Sequence, residues 1–499
     1  MLLYGDAVAH LGIARRIVDT NTPGLAQLGG VWLPLPHLLM LPFIGRMDWW
    51  QDGMAGAWPS LICYVLAVMG LYRVARRLVA PRWALVATAF FGLNANLLYL
   101  STTAMTEPLF LALLIWIVLL AMEFVEAAQA AATRRVTGHM LLLGGLILAA
   151  TMTRYDGWIL GAAVWAIVAW QLWQAPAVRR EVLSGFLVFT LLAVAGPLAW
   201  FQYNHVFGHD WLDFMRGPYS AKEIDRKTSP PGSHKYWGWH NPAWSLMLYA
   251  RTAQVDAAVG ETGWLIAAAA LWGSWKAWAA RIPRASLLLW LPLPFYVYSI
   301  SYGSVPIFIP QLYPHAFYNS RYGMELLPVI AIFMAYALSE LVSRMGKAHA
   351  LAVRLGPGLA GMLIIVNLAL MMHATPLVLK EAMVNSRSRI ALEEPLAHQM
   401  QMFPRGAVIL MENSDHVGAL QTAGIPLRQT IGPSDYYLWK AGMADPARTA
   451  PYIVAVGDDD AAKAVKAHPD GLTVLAIVCA SGQPCVRIYQ SSRYAGAAH

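Results

Sequence analysis

Charge is scarce in this sequence. Asp, Glu, Lys and Arg together make up 13% of 499 residues, against about a quarter in ordinary soluble domains, which excludes a conventional water-soluble globular chain. Cysteine is scarcer still, three in all, which leaves room for a single disulfide. No internal repeat and no low-complexity tract stands out. A basic start followed by a long uninterrupted apolar stretch is also missing, so "MLLYGDAVAHLG" does not read as a secretory signal.

Apolar sequence is what the chain has in abundance. Hydrophobic residues reach 58% and the mean hydropathy is +0.47. Runs such as "PLFLALLIWIVLLAM" and "GFLVFTLLAVAGPLAWF" approach the roughly 20 residues that cross a bilayer core about 30 Å thick. Taken in order they give about ten spans, near 54–73, 83–102, 108–126, 138–154, 157–174, 184–203, 262–279, 285–302, 325–343 and 355–373. The net charge of +8 could suggest nucleic acid, but the basic residues fall in short clusters between apolar runs, so no nucleic-acid partner is expected. Alternate connections hold Arg73, Arg76, Arg77 and Arg82; Arg134 and Arg135; Arg179 and Arg180; Lys276, Arg281 and Arg284; and Arg344, Lys347 and Arg354. The positive-inside rule assigns these to the cytoplasm and the intervening connections to the extracytoplasmic face.

Three parts follow. Residues 1–53 form a first extracytoplasmic loop with amphipathic helices, and residues 54–373 form the transmembrane body, interrupted by an outer loop at 204–261. Residues 374–499 read as a small extracytoplasmic α/β domain, because short β-branched runs alternate there with Ala/Lys-rich helical stretches. In that domain "GDDD" at 457–460 leads into "AAKAVKAH", which points to helix capping rather than to a metal site. Cys63 lies inside a span, whereas Cys479 and Cys485 flank a turn between two β-like runs, where a disulfide would suit an oxidising compartment. With 1–53 outside and a span following, a further span upstream of Met1 is expected.

Ionisable residues near membrane depth are costly and tend to mark sites. Asp6 and His10 stand one helical turn apart in "YGDAVAHLGIARR"; Glu107 opens a span in "TAMTEPLF"; Arg154 and Asp156 occupy the turn "TRYDGW"; Arg321 and Tyr322 begin another span in "SRYGMELLP". Each has a structural explanation on its own: a helix cap for Glu107, an interfacial ion pair for Arg154 and Asp156, and an i, i+4 pair of Arg321 with Glu325. Together they gather carboxylates, which serve as general bases, and guanidiniums, which bind phosphate, on one face.

These motifs, with "GGVWLPLPHLLMLPF" in the first loop, resemble the GT-C class of polytopic glycosyltransferases, which includes protein O-mannosyltransferases and aminoarabinose transferases, over roughly residues 1–375. The resemblance implies an inverting transfer of a hexose or pentose from a polyprenyl-phosphate donor to an acceptor hydroxyl, at the outer face of a bacterial inner membrane. It also implies that Asp6 is the general base, with His10 orienting it or touching the donor phosphate and Glu107 binding hydroxyls. Arg154 and Arg321 would hold the lipid phosphate, and Asp156, Tyr322, Trp237 and Trp239 would contact sugar or acceptor. Where many relatives carry an Asp-Glu pair in the first loop, Asp6 is followed by Ala7, so a second carboxylate is expected from Glu107 or Asp156.

The aromatic stretch "SHKYWGWHNPAW" reads either as an interfacial belt or as a lid that stacks on sugar. His234 and His240 without a third ligand do not make a metal site, and no cofactor or metal is expected. A secondary transporter and a non-catalytic envelope-assembly protein are the competing functional readings.

Overall fold

The computed structural model describes residues 1–229, 232, 235–280, 283–345 and 349–495. Among them, six helical runs are long and apolar enough to cross a membrane: Met54–Arg76, Glu107–Gln129, Pro176–Gly208, Arg284–Tyr302, Ser320–Ser343 and the run Arg354–Gln401. Three further stretches expected to span fold as the helices Thr133–Thr151, Asp156–Gln174 and Thr262–Ala279, which are not among these six. The run at 83–102 is not one straight helix. It breaks into Pro81–Gly92 and Ala95–Ser101, bent by 62°. Asn94 causes the break, since its side chain accepts from the backbone N–H of Asn96 and Leu97 at 3.0 and 3.2 Å and caps a new helix.

Glu107–Gln129 is the central helix, with 78% of its apolar window buried, against 22% for Pro176–Gly208, whose leucines face outward. Arg77 ties the end of Met54–Arg76 to Glu126 at 2.6 Å and Glu123 at 2.8 Å. The first basic cluster therefore lies at the opposite end of the central helix from Glu107. Arg281 and Lys347 of the other clusters lie outside the described residues.

The stretch 204–261 is more than a loop. It contains the helix Pro242–Ala257, started by the Asn241 side chain, which accepts from Trp244 N at 3.1 Å. Tyr249, Thr252 and Asp256 of this helix are fully buried against the 3-10 turn Ser320–Leu326. Gly323 permits that approach, because a Cβ there would sit 2.5 Å from Asp256 Oδ2 and 2.7 Å from Ala253 N.

The helix Leu377–Gln401, just past the boundary expected at 373, packs on Ala95–Ser101 and on the 3-10 turn as well as on the helix Val417–Ala423. Beyond it, β1 (Ile409–Met411), β2 (Thr430–Ile431), β3 (Tyr452–Val456), β4 (Leu472–Val478) and β5 (Val486–Ser491) form one sheet in the order β2-β1-β3-β5-β4. β1 runs parallel to β2 and β3, and β5 runs antiparallel to β3 and β4. β1 and β3 are buried throughout, as strands covered on both faces are. A disulfide joins Cys479 to Cys485 across the β4–β5 hairpin. Asp459 caps the helix Asp460–Ala467, accepting from Ala462 N at 2.7 Å.

The N-terminal segment folds as the helices Gly5–Val18, Leu35–Ile44 and Met47–Asp52. It bridges bundle and sheet. Asp19 pairs with Arg15 at 2.7 Å and with Arg428 at 2.9 Å, and Asn21 Nδ2 donates to Thr430 O at 2.8 Å.

Candidate active site

At the end of the bundle that carries Glu107 lies a cavity of about 510 Å³. Asp6 and His10 line it from the first helix, Arg154 and Asp156 from the turn between two spans, and Arg321 and Tyr322 from the 3-10 turn. Six residues from three distant stretches of chain thus share one space.

Arg321 organises it. Its Nη2 lies 2.6 Å from Asp6 Oδ2, its Nε donates to Glu107 Oε1 at 2.9 Å, and its Nη1 donates to Tyr4 OH at 2.7 Å. The turn that carries Arg321 is held from outside by Glu381, whose oxygens accept from Asn319 N at 3.0 Å and Ser320 N at 2.8 Å, and also from Ser320 Oγ and from Tyr4 OH at 2.7 Å. A carboxylate on another helix thereby satisfies the N–H groups that a helix start leaves open. Arg154 is organised in the same manner. It donates to Thr106 Oγ1 at 2.8 Å, Glu107 Oε1 at 3.1 Å and Tyr296 OH at 2.5 Å, and it pairs with Asp156 at 3.3 Å and Glu325 at 3.0 Å. Glu107 Oε1 therefore joins the two guanidiniums. Both flank the Tyr322 ring, with Arg321 at 4.7 Å and Arg154 at 5.0 Å from its centroid.

Several expected roles change. Glu107 has no exposed surface and does not line the cavity; it sits behind the arginines and fixes them, so it is not placed to bind hydroxyls. Arg321 does not pair with Glu325. In a 3-10 turn residues i and i+3 eclipse, so i+4 is carried off to one side, and Glu325 meets Arg154 instead. His10 contacts neither Asp6 nor a charge; its Nδ1 lies 2.8 Å from His37 Nε2 and its ring lies against Trp32 at 4.3 Å. Burial, reinforced by Arg321 and Arg154, pushes the His10 imidazole down to about 3, which favours the neutral ring.

Trp237 and Trp239 do not reach the cavity. Trp237 stacks on Tyr313 at 4.9 Å and meets Trp244 at 5.0 Å, while Trp239 packs against Tyr236 and His240. His234 lies outside the described residues. Among those residues, no three or more His, Cys, Asp or Glu are grouped to hold a metal ion.

The architecture matches that of a solved structure. ArnT from Cupriavidus metallidurans in the apo state superposes with a TM-score of 0.52 at 15% identity, covering 97% of this chain and 93% of that one. The same protein bound to undecaprenyl phosphate gives 0.51 at 16% identity, covering 99% and 95%. The chain has the GT-C fold. In sequence, the chain is similar to the undecaprenyl phosphate-alpha-4-amino-4-deoxy-L-arabinose arabinosyl transferase of Edwardsiella ictaluri, 24% identical over 352 residues, which are 67% of this chain and 57% of that one. It is 26% identical over 431 residues to the protein of the same name from Pseudomonas paraeruginosa, 81% of this chain and 66% of that one. The chain thus spans 57% to 66% of the length of these curated relatives. No family model matches.

The sequence alone does not single out Tyr4, His37, Tyr296 and Glu381. Tyr4 had a signal, since it stands two residues before Asp6. Glu381, in "VLKEAMVN", had none, because it reads as the polar face of an ordinary helix.

Proposed function

We propose that the chain is a glycosyltransferase of the bacterial inner membrane that works on the extracytoplasmic face, moving a sugar from a polyprenyl-phosphate donor to an acceptor hydroxyl with inversion. The observation that carries this reading is the convergence of Arg154, Arg321 and Asp6 on one cavity, at the end of the bundle away from the Arg77 cluster. Two fixed guanidiniums suit a phosphate that gains charge as its bond to sugar breaks.

The proposed step is a single displacement. The acceptor oxygen attacks the anomeric carbon as the bond to the phosphate oxygen breaks, the acceptor proton passes to Asp6, and the lipid phosphate leaves as an anion beside Arg154 and Arg321. Asp6 suits the base role because its side chain is 37% exposed, whereas Glu107 and Glu325 are sealed at 1% and 0%. An arriving donor phosphate competes for Arg321 Nη2 and so frees the Asp6 oxygen that faces it. The relatives are named for undecaprenyl phosphate carrying an aminoarabinose, and the polyprenyl-phosphate carrier is the property brought across here. In this reading the guanidiniums carry the phosphate charge, so transfer should persist in a chelator.

The test is an assay of purified full-length chain with radiolabelled polyprenyl-phosphate sugars, including aminoarabinose, and an envelope-lipid and glycan extract as acceptor source. Label moving from the carrier to an extract component, lost in Asp6→Asn, is the expected result. A chain that binds the carrier lipid and leaves every donor intact would overturn the reading in favour of a transporter or scaffold.

A further inference from the structure

A second cavity, of about 320 Å³, adjoins the first. The two share Asp6, Val31, Trp32, Tyr219 and Ile224, so the proposed base stands where they meet. One face of the helix Gly5–Val18 forms the floor: Asp6, Ala9, Ile13 and Arg16 follow the i, i+3, i+7, i+10 spacing of a single stripe. At 1.5 Å per residue, Arg16 lies about 15 Å along the axis from Asp6, a distance longer than one sugar ring. The sheet domain closes the far end with Asn413, Ser414 and Val417.

Arg16 is the unusual member. Its neighbour Arg15 is saturated, donating to the carbonyls of Ile44 at 2.6 Å and Gly45 at 2.9 Å and pairing with Asp19 at 2.7 Å. Among the described residues no carboxylate lies within ion-pair distance of Arg16. Its guanidinium makes one long hydrogen bond, Nη1 to Ser414 Oγ at 3.4 Å, and its Nε is buried with no partner. Asp415 lines the chamber and Asp435 lies within electrostatic range, but Asp435 is engaged by Thr22 and by Gly432 N. Arg16 is half-buried, and its sealed Nε, left without an acceptor, costs free energy that an anion seated against the guanidinium would offset.

We infer that this second chamber receives the acceptor, and that Arg16 binds an anionic group on it, phosphate or carboxylate, at the end remote from the hydroxyl presented to Asp6. The assignment rests on the glycosyltransferase reading for the word acceptor; the anion site itself stands on Arg16.

The test uses full-length chain in nanodiscs of neutral lipid, with the first cavity saturated by undecaprenyl phosphate. Equilibrium dialysis of hexyl phosphate, hexanoate, inorganic phosphate and hexanol, corrected for empty discs, measures what the second chamber takes. Wild type should bind one anion per chain and ignore hexanol, with Arg16→Gln weaker by roughly tenfold or more, as loss of a charge-assisted contact implies, and Arg16→Lys intermediate. Preference for hexyl phosphate over inorganic phosphate marks a lipid-borne anion, and equal affinity marks a free one; either supports the site. Ala9→Leu, which narrows the chamber and leaves Arg16 intact, should lower affinity too and covers the case in which Arg16→Gln does not fold. Equal binding by wild type and Arg16→Gln, or no saturable anion binding by wild type, overturns the inference. Failure of the glycosyltransferase reading would show separately, as an absence of sugar transfer while Arg16-dependent binding is still scored.

Discussion

Arg321 Nη2 and Asp6 Oδ2 stand 2.6 Å apart, and in the cluster around Arg321 the Asp6 end is the one open to solvent. An open carboxylate clamped by a guanidinium can be released by a competing anion, and chemistry can follow release.

Asp6→Asn keeps the shape and can still accept from Arg321, but it cannot take a proton. Sugar transfer should fall by about 10²–10⁴, the usual worth of a general base, while undecaprenyl phosphate binding and the thermal midpoint stay near wild type. If carrier binding fell in step with transfer, Asp6 would be a binding residue instead.

Glu107→Ala should behave differently. It strips the shared acceptor from Arg154 and Arg321 inside a sealed site, and breaking a buried pair on one side costs about 3–5 kcal/mol. A large drop in unfolding midpoint is expected, together with weakened donor binding, and Glu107→Gln should recover part of both. A Glu107→Ala protein of wild-type stability that had lost only its rate would place this residue in the chemistry.

Acid should weaken the fold through the imidazoles. Burial lowers both His10, to about 3, and His37 from the ordinary value of 6.5. Below pH ~6.5 the unfolded chain takes up protons that the folded chain refuses, so this contribution is complete above that pH and is lost as pH falls toward the folded value. The slope is about 1.4 kcal/mol per pH unit for each imidazole. Thermal unfolding between pH 7.5 and 5 should show a shallower acid limb in His10→Gln than in wild type; parallel limbs would contradict it.

Removing the Cys479–Cys485 bond should loosen only the β4–β5 hairpin. Closing so short a loop contributes roughly 2 kcal/mol, and neither cysteine lines the first cavity. Cys479→Ala with Cys485→Ala should raise hydrogen exchange over 472–491 and leave transfer unchanged. A matching fall in transfer would mean that the hairpin acts on the site.

Much of this was legible beforehand, for physical reasons. Apolar runs bounded by arginines announce a bundle because the bilayer imposes length and charge rules, and the stretches around Asp6, Glu107, Arg154 and Arg321 announced one face. What stayed hidden was set by tertiary contacts. Asn94, where an apolar run breaks, is held from another helix, its Nδ2 donating to Asp256 O at 2.8 Å. α-Helical spacing pairs Glu325 with Arg321, whereas the 3-10 turn brings it to Arg154. Glu381 carries no local mark, since its work is done across 61 residues of sequence at Ser320 N.

The sheet domain grips the very helix that presents Asp6, through Asp19 to Arg428 and Asn21 to Thr430. It is thus a brace for the helix that carries Asp6 and no mere appendage. On the proposed reading, a chain cut after the bundle would keep Arg154, Arg321 and their hold on Asp6 while losing the anchor at the far end of that helix, and so would keep its carrier lipid more readily than unload it.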